Sequence, residues 1–347
     1  MAGGFVLTEL TATQRQTFRA AVDIYQAYLE ALIQSRPLKG GMHWKKIRGR
    51  DYLYRYRDRH GHGQSLGPRS EHTEDLFALF TRERREVAAR LRSERLRLQE
   101  QARFCRAALI HRVPRLPAKI LRRLEQHETG RNLLVIGTAA IYAYEFAAGV
   151  FLEPAGPPDL LAASRRRLTL VAAGEISWDE LLGVLRRTDR SFAPLPGGEC
   201  RAGNRHGFRV TLLKTGDQGP GKQKTITVPG AREPLPPAAG NLHFLTASPK
   251  FSQVVIGQDG APATLAVADP RAFALHKLWL SQQPDREELK RRLDRRQALA
   301  VAHLILGHLP QYDYFATELE MFPQDLVKSA ARLAPGVELA EDGSREF

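Results

Sequence analysis

Residues 133–145, "LLVIGTAAIYAYE", pass from a short apolar, β-rich run into a helix of small residues through Gly137 and Thr138. Leu133 to Ile136 reads as a buried strand, and "TAAIYAYEFAA" as a helix stopped by Gly149. A strand that ends in glycine and a small hydroxyl, and opens a helix, presents backbone N–H groups to an anion. Gly137 would let a phosphate approach the backbone, and Thr138 would cap the helix while touching it. A strand-to-helix turn that needs a glycine for its own sake reads the same way, so the motif alone decides nothing.

On either side the chain changes character. Thr11 is placed to cap a helix through "QRQTFRAAVDIYQAYLEALIQSR", ended by Pro37 and Gly40–Gly41. In "MHWKKIRGRDYLYRYRDRHGHGQSLGPRS" the alternation of Tyr52, Tyr54 and Tyr56 with Leu53, Arg55 and Arg57 predicts a β-hairpin at about 40–68, turning at "RHGHG". Residues 71–111 carry no helix breaker and read as one long helix or two stacked ones, with an apolar stripe at Leu76, Leu79, Phe80, Val87, Leu91 and Leu98. After the linker "RVPRLPAKI" and a helix to about Gln126 come the central strand and helix. The segments "VFLE", "DLLAAS", "LTLVA", "GFRVTLLK", "TITVP", "LHFLTA", "SQVVIG" and "TLAVA" follow as strands, with a helix from Trp178 capped by Ser177. From Asp269 the pattern is helical again. The expected division is 1–112 helical with the hairpin, 113–268 an α/β core, 269–335 a helical domain and 336–347 a flexible tail.

The charge is uneven. Fifty-two Lys and Arg against 38 Asp and Glu leave +14, a field that attracts polyanions, nucleic acid first. Residues 37–70 hold nine of the cations against Asp51 and Asp58, half of the whole excess. Cations interleaved with tyrosines suit a phosphate backbone and stacked bases. Lys45, Lys46, Arg48, Arg50, Arg55 and Arg57 are therefore the candidate contacts to RNA or DNA. The competing reading is a solvated hairpin whose tyrosines pack on the long helix. Cys105 and Cys200 make neither a disulfide framework nor a zinc site by themselves. No run is long and apolar enough for a bilayer and no signal peptide is evident, so a cytoplasmic protein without membrane contact is expected. No Gly-x-Ser-x-Gly elbow occurs, "HGH" at 60–62 lacks ligand partners, and "GDQGPGKQKT" at 216–225 lacks the register of a P-loop.

In order, "LLVIGTAAIYAYEFAAGV", "PPDLLAASRRRLTLV", "GFRVTLLK" and "AFALHKLWLSQQPDREELKRRLDRRQA" resemble the segments of a bacterial nucleotidyltransferase-fold family related to the polymerase-β-like enzymes. "SLGPRSEHTEDLFALF" is similar to that family's leading segment. The resemblance spans about residues 40–310. It implies an α+β fold: a nucleotidyltransferase-like mixed sheet with flanking helices, a helical N-terminal region and a helical C-terminal extension.

The resemblance also implies a chemistry. An NMP group passes from an NTP to an acceptor on metal ions held by three carboxylates. Two lie one residue apart on the strand after the glycine-hydroxyl helix, and the third lies on a neighbouring strand. Carried onto this chain, they fall on Pro157, Asp159 and Thr211. Asp159 is thus the candidate catalytic and metal-binding residue, holding Mg²⁺ weakly with the substrate's phosphates, with Glu153 or Glu145 as substitutes. Lys277 resembles a family lysine placed over the phosphates, and with Gly137 and Thr138 completes the expected nucleotide-binding set. A helix-surface lysine is the alternative, and Asp294 with Lys290 or Arg291 reads as a solvated ion-pair face. Three functions stay open: a nucleotidyltransferase, with a nucleic acid as one acceptor; a catalytically inactive member that binds nucleotide or nucleic acid; and a helical scaffold for a protein partner.

Overall fold

The computed structural model describes residues 5–56, 63–127, 130, 132–154, 159–172, 176–196, 200–215, 226–227, 242–314, 319, 322 and 324–331. Arg57, Pro157 and the loop at 216–225 lie outside the described residues. Residues 16–110 form one compact unit, and the described residues before 16 and after 110 form a second.

The chain opens with strand β1 (Phe5–Glu9) and helix α1 (Ala12–Ser35). Thr11 caps α1 as its sequence predicts, and reciprocally: its N–H donates to Gln14 Oε1 at 2.9 Å and its Oγ1 accepts the Gln14 N–H at 3.2 Å. The predicted hairpin is a three-stranded antiparallel sheet, β2 (Gly41–Ile47), β3 (Arg50–Tyr56) and β4 (Gly63–Pro68). The additional turn is Arg48–Gly49, with φ 48° and 81°. That is the two-residue turn whose twist matches a hairpin. Helix α2 (Glu71–Ala107) is continuous over 37 residues from a Ser70–Thr73 capping box. Its buried face runs through Thr73, Phe80, Glu94, Gln101 and Cys105, while Leu79, expected in the apolar stripe, is exposed. The sheet face turned to α2 carries Trp44, Leu53 and Arg55, not the tyrosines. Trp44 meets Phe77 at 6.1 Å, and the Arg55 guanidinium lies 4.4 Å over Phe80.

The second unit continues with α3 (Arg115–Gln126), β5 (Leu133–Ile136), α4 (Ile141–Ala148), β6 (Val150–Pro154), β7 (Arg167–Ala172) and α5 (Trp178–Thr188). Then come β8 (Ala193–Pro194), β9 (Arg201–Gly203), β10 (Arg209–Thr215), β11 (Ile226–Thr227), α6 (Leu242–Ala247), β12 (Lys250–Ile256) and β13 (Pro262–Ala268). Helices α7 (Pro270–Ser281), α8 (Glu288–His308) and α9 (Gln324–Ala331) complete it. The sheet order is β12-β13-β5-β7-β10-β9-β8, with β11 on β10, and it is mixed. β5 is antiparallel to β7, while β7 and β10 are parallel and joined through α5. The architecture is the α+β mixed sheet with flanking helices that the resemblance implies.

Three local expectations change. "DLLAAS" is a turn, because Asp159 Oδ1 accepts the Leu161 N–H at 2.8 Å and a 3₁₀ turn follows at Ala162–Arg165. "LHFLTA" is the helix α6, which packs on α7 and buries Leu245. β1 was not expected; it pairs antiparallel with β6, so the segment before α1 belongs to the core unit.

One buried ion pair holds β6 against α4. Glu145 is fully buried, its Oε1 2.7 Å from Arg112 Nη2 and accepting the Leu152 N–H at 2.8 Å. The same guanidinium reaches Glu153 at 3.1 Å and lies 4.7 Å over the Phe151 ring. Burial pushes the Glu145 carboxyl above its ordinary value, against the opposing pull of Arg112. Both carboxylates that sequence offered as substitute metal ligands are thus held by one arginine. Glu145→Ala removes the buried partner of Arg112 and the acceptor of the Leu152 N–H, and should cost about 3 kcal/mol of folding free energy in chemical denaturation, whereas Glu153→Ala, at an exposed partner, should cost under about 1 kcal/mol.

Candidate functional site

The site forms where β5 ends. Gly137 has φ 76° and ψ −158°, a backbone region closed to other side chains. A Cβ built there would meet nothing within 4 Å, so conformation and not crowding requires the glycine. A 3₁₀ turn at Thr138–Ala140 leads into α4, and the Ala140 N–H donates to Gly137 O at 3.0 Å. Thr138 does not cap the helix. Its Oγ1 accepts from Gln297 Nε2 at 3.1 Å, and the same amide nitrogen donates to Leu160 O at 2.7 Å. Gln297 is fully buried on α8, tying that helix to the turn.

A cavity of about 90 Å³ lies against this turn, lined by Ile136 to Ala139, Ala163, Ser164, Arg167, Thr169 and Lys277. It has room for a phosphate group. Strand register assembles the lining. Thr169 pairs with Ile136 on one side and with Thr211 on the other, so the three stand in a row across β5, β7 and β10. Arg167, two residues before Thr169, projects to the same face.

The structure brings Gly137, Thr138 and Lys277 together as the sequence predicts. Lys277 is not a surface lysine: it is 7% exposed, its Nζ 2.7 Å from Asp294 Oδ1, and Arg286 Nε holds the other oxygen of that carboxylate. Burial lowers the Lys277 ammonium below its ordinary value, more than Asp294 raises it. Asp294 therefore belongs to a buried cluster of two cations and one carboxylate, not to a solvated face. Lys290 pairs instead with Glu287 at the surface, at 2.8 Å. Sequence reasoning missed Gln297 and Arg286, because polar residues in an Arg-rich helix give no sign of which turn is buried.

Asp159 stands apart from the cavity lining. Its Oδ1 is taken by the Leu161 N–H, and its Oδ2 sits 2.9 Å from Arg165 Nη1. The strand that follows α4 in the chain is β6, paired with β1, while β7, beside β5 in the main sheet, brings Arg167 and Thr169 to the cavity. Sequence placed the carboxylate pair at 157 and 159, on a segment that is not a β-strand at Asp159. Mg²⁺ seeks hard oxygen ligands, usually carboxylates. On β7 an exposed guanidinium and a hydroxyl face the cavity, with Thr211 on the next strand, and no carboxylate is among the described residues that line it. The donor set does not fit a divalent cation. Among the described residues no group of three or more His, Cys, Asp or Glu could hold a metal ion.

In the separate unit of residues 16–110, Lys45, Lys46, Arg48 and Arg50 are exposed around the β2–β3 turn. Arg55 is not presented to solvent in this way. Its guanidinium donates to the carbonyls of Gly41, Tyr56, Pro37 and Lys39 at 2.6–3.2 Å, and so acts as a clamp. The outer sheet face holds the tyrosines with two basic residues: His43 stacks on Tyr56 at 4.2 Å, and Lys45 Nζ lies 5.6 Å over the Tyr54 ring.

No helix of the described residues is long and apolar enough to cross a membrane. No curated protein and no solved structure gives a match to the chain. A family model described as a nucleotidyltransferase matches residues 115–320, more than half of the chain and all of the elements that build the cavity. The chain belongs to that nucleotidyltransferase family.

Proposed function

We propose that this chain holds a nucleotide by a phosphate group in the cavity under Gly137, with protein charge where two-metal transfer would use carboxylate-bound ions. The observation that carries the reading is Arg167. It is exposed on the cavity face of β7, has no ion pair among the described residues, and lines the cavity beside the turn at Gly137. A guanidinium offers a planar fork of donors to phosphate oxygens. Lys277 adds a second positive charge, the Thr138 and Thr169 hydroxyls add donors, and the first amides of the turn lack intrahelical partners. These groups bind and orient a phosphate. They supply no set of carboxylates for Mg²⁺, so efficient nucleotidyl transfer is not part of the proposal.

A second activity is supported in the N-terminal unit. The outer face of β2–β4 joins stacked aromatic rings to exposed cations, the combination that suits a single nucleic-acid strand. Lys45, Lys46, Arg48 and Arg50 would meet phosphates, while Tyr52, Tyr54 and Tyr56 would meet bases.

Calorimetric titration with each NTP, in EDTA and in Mg²⁺, tests the first reading. Binding should persist in EDTA, and Arg167→Ala should weaken it by at least about tenfold, or 1.4 kcal/mol. Affinity should fall as pH rises, beginning below the ordinary lysine value of 10.5, because the bound anion favours the protonated Lys277. Lys277→Arg should remove that decline. Mg²⁺-dependent pyrophosphate release that disappears in Asp159→Ala would overturn the proposal. For the second reading, the affinity of a single-stranded oligonucleotide should fall with salt. Replacing Lys45, Lys46, Arg48 and Arg50 by Ala should flatten the log–log slope by about 3, and an unchanged slope would rule out this face.

A further inference from the structure

On the core unit, α3 and the end of α5 pack together and enclose a cleft of about 260 Å³, lined by Lys119, Arg122, Arg123, Gln126, Arg187 and Thr188. No residue of the phosphate cavity under Gly137 contributes to it. Four cations meet there, and no carboxylate is among the described residues that line it.

The neighbouring described acids lie outside the lining. Asp259 pairs with Arg122, and that guanidinium also donates to Ala261 O at 3.0 Å. Glu125, the acid of α3, accepts from Thr264 on β13 at 2.6 Å. Asp189, just after α5, is taken up by the Ser191 N–H and hydroxyl and by Asn204, which hold its carboxyl below the ordinary value. Lys119, Arg123 and Arg187 are exposed, and none has an ion pair among the described residues. Arg123 donates a hydrogen bond to Gln126 Oε1, at 3.2 Å. Three like charges gathered in one cleft repel one another, and an anion would relieve that cost.

We infer that this cleft binds successive phosphates of a nucleic-acid strand, as a site separate from the nucleotide pocket and from the basic β-sheet. Its chemistry selects phosphate and little else. The lining has no aromatic ring on which a base could stack, and Gln126 is its one amide. Lys119 and Arg123 are one helical turn apart, about 6 Å along α3, the scale on which neighbouring phosphates follow one another along a strand. Arg187 adds a cation from the other wall. Such a groove follows a backbone without reading its sequence.

The test is fluorescence anisotropy of a labelled single-stranded oligonucleotide across a salt series. The full chain carrying Ala at Lys45, Lys46, Arg48 and Arg50 is compared with the same chain also carrying Lys119→Gln, Arg123→Gln and Arg187→Gln. Adding the three substitutions should flatten the log–log salt slope by about 2 and weaken binding at low salt at least tenfold. NTP affinity at the Arg167 cavity should stay unchanged, and the melting temperature should hold or rise as repulsion is relieved. An unchanged slope in a folded variant overturns the inference. So does inorganic triphosphate competing at the same concentration as the oligonucleotide, which would make the cleft a small-anion site.

Discussion

The register of β7 between β5 and β10 fixes what this protein can do. Antiparallel pairing with β5 sets Thr169 beside Ile136, and parallel pairing with β10 sets Thr211 beside Thr169. A shift of one residue would turn Leu168 and Leu170, both buried, toward the cavity, and would drive Arg167 and Thr169 into the core. Apolar burial therefore holds the register, and the register decides which side chains face the turn at Gly137. The described lining of the cavity holds a guanidinium, an ammonium and the hydroxyls of Thr138, Ser164 and Thr169, and no carboxylate. The protein itself therefore presents positive charge at the turn.

The C-terminal helices complete the pocket. α7 brings Lys277 to it, while α8 brings Asp294 to restrain that lysine and Gln297 to fix Thr138. A buried ammonium needs a partner, and Asp294 supplies it; Arg286 holds the second oxygen of the carboxylate, so the cluster keeps a net positive charge. These residues form a preorganised shell around a phosphate-sized space. Positive charge recurs across the chain, in the aromatic-faced sheet near the N-terminus and in the α3–α5 cleft. A chain of net charge +14 gathers cations in places with different neighbours: hydroxyls at the Gly137 turn, aromatic rings on β2–β4 and further cations in the α3–α5 cleft.

Much of this was legible before any coordinates. The strand–glycine–hydroxyl–helix passage at 133–148, the cap at Thr11 and the helices after Asp269 follow from local pattern, and local pattern forms them. The resemblance placed the carboxylate pair at 157 and 159, where Asp159 is the one acid between Glu153 and Glu175, and Asp159 is not among the described residues that line the cavity. Pro157 and Pro158 before it were the physical sign of a turn, whereas the period-two run "RLTLV" marked the strand. β1 escaped notice because its pairing with β6 spans over a hundred residues, and a half-buried five-residue segment carries no local trace of that partner. The same limit hid Gln297 and the burial of Asp294, since burial within an Arg-rich helix is decided by what packs on it. Arg55 shows the converse: a cation in a basic run can be an internal clamp, and four carbonyls distinguish it from its neighbours.

The most direct measurement is a crystal structure of the full chain grown with a nucleoside triphosphate and Mn²⁺, with data collected to reveal the anomalous signal of the ion. A phosphate should lie against Arg167 and the turn at 137–139, with Asp159 still paired to Arg165 and no Mn²⁺ on a protein carboxylate in the cavity. An Mn²⁺ peak bridging Asp159 and the phosphates would contradict the assignment of this pocket to protein charge alone.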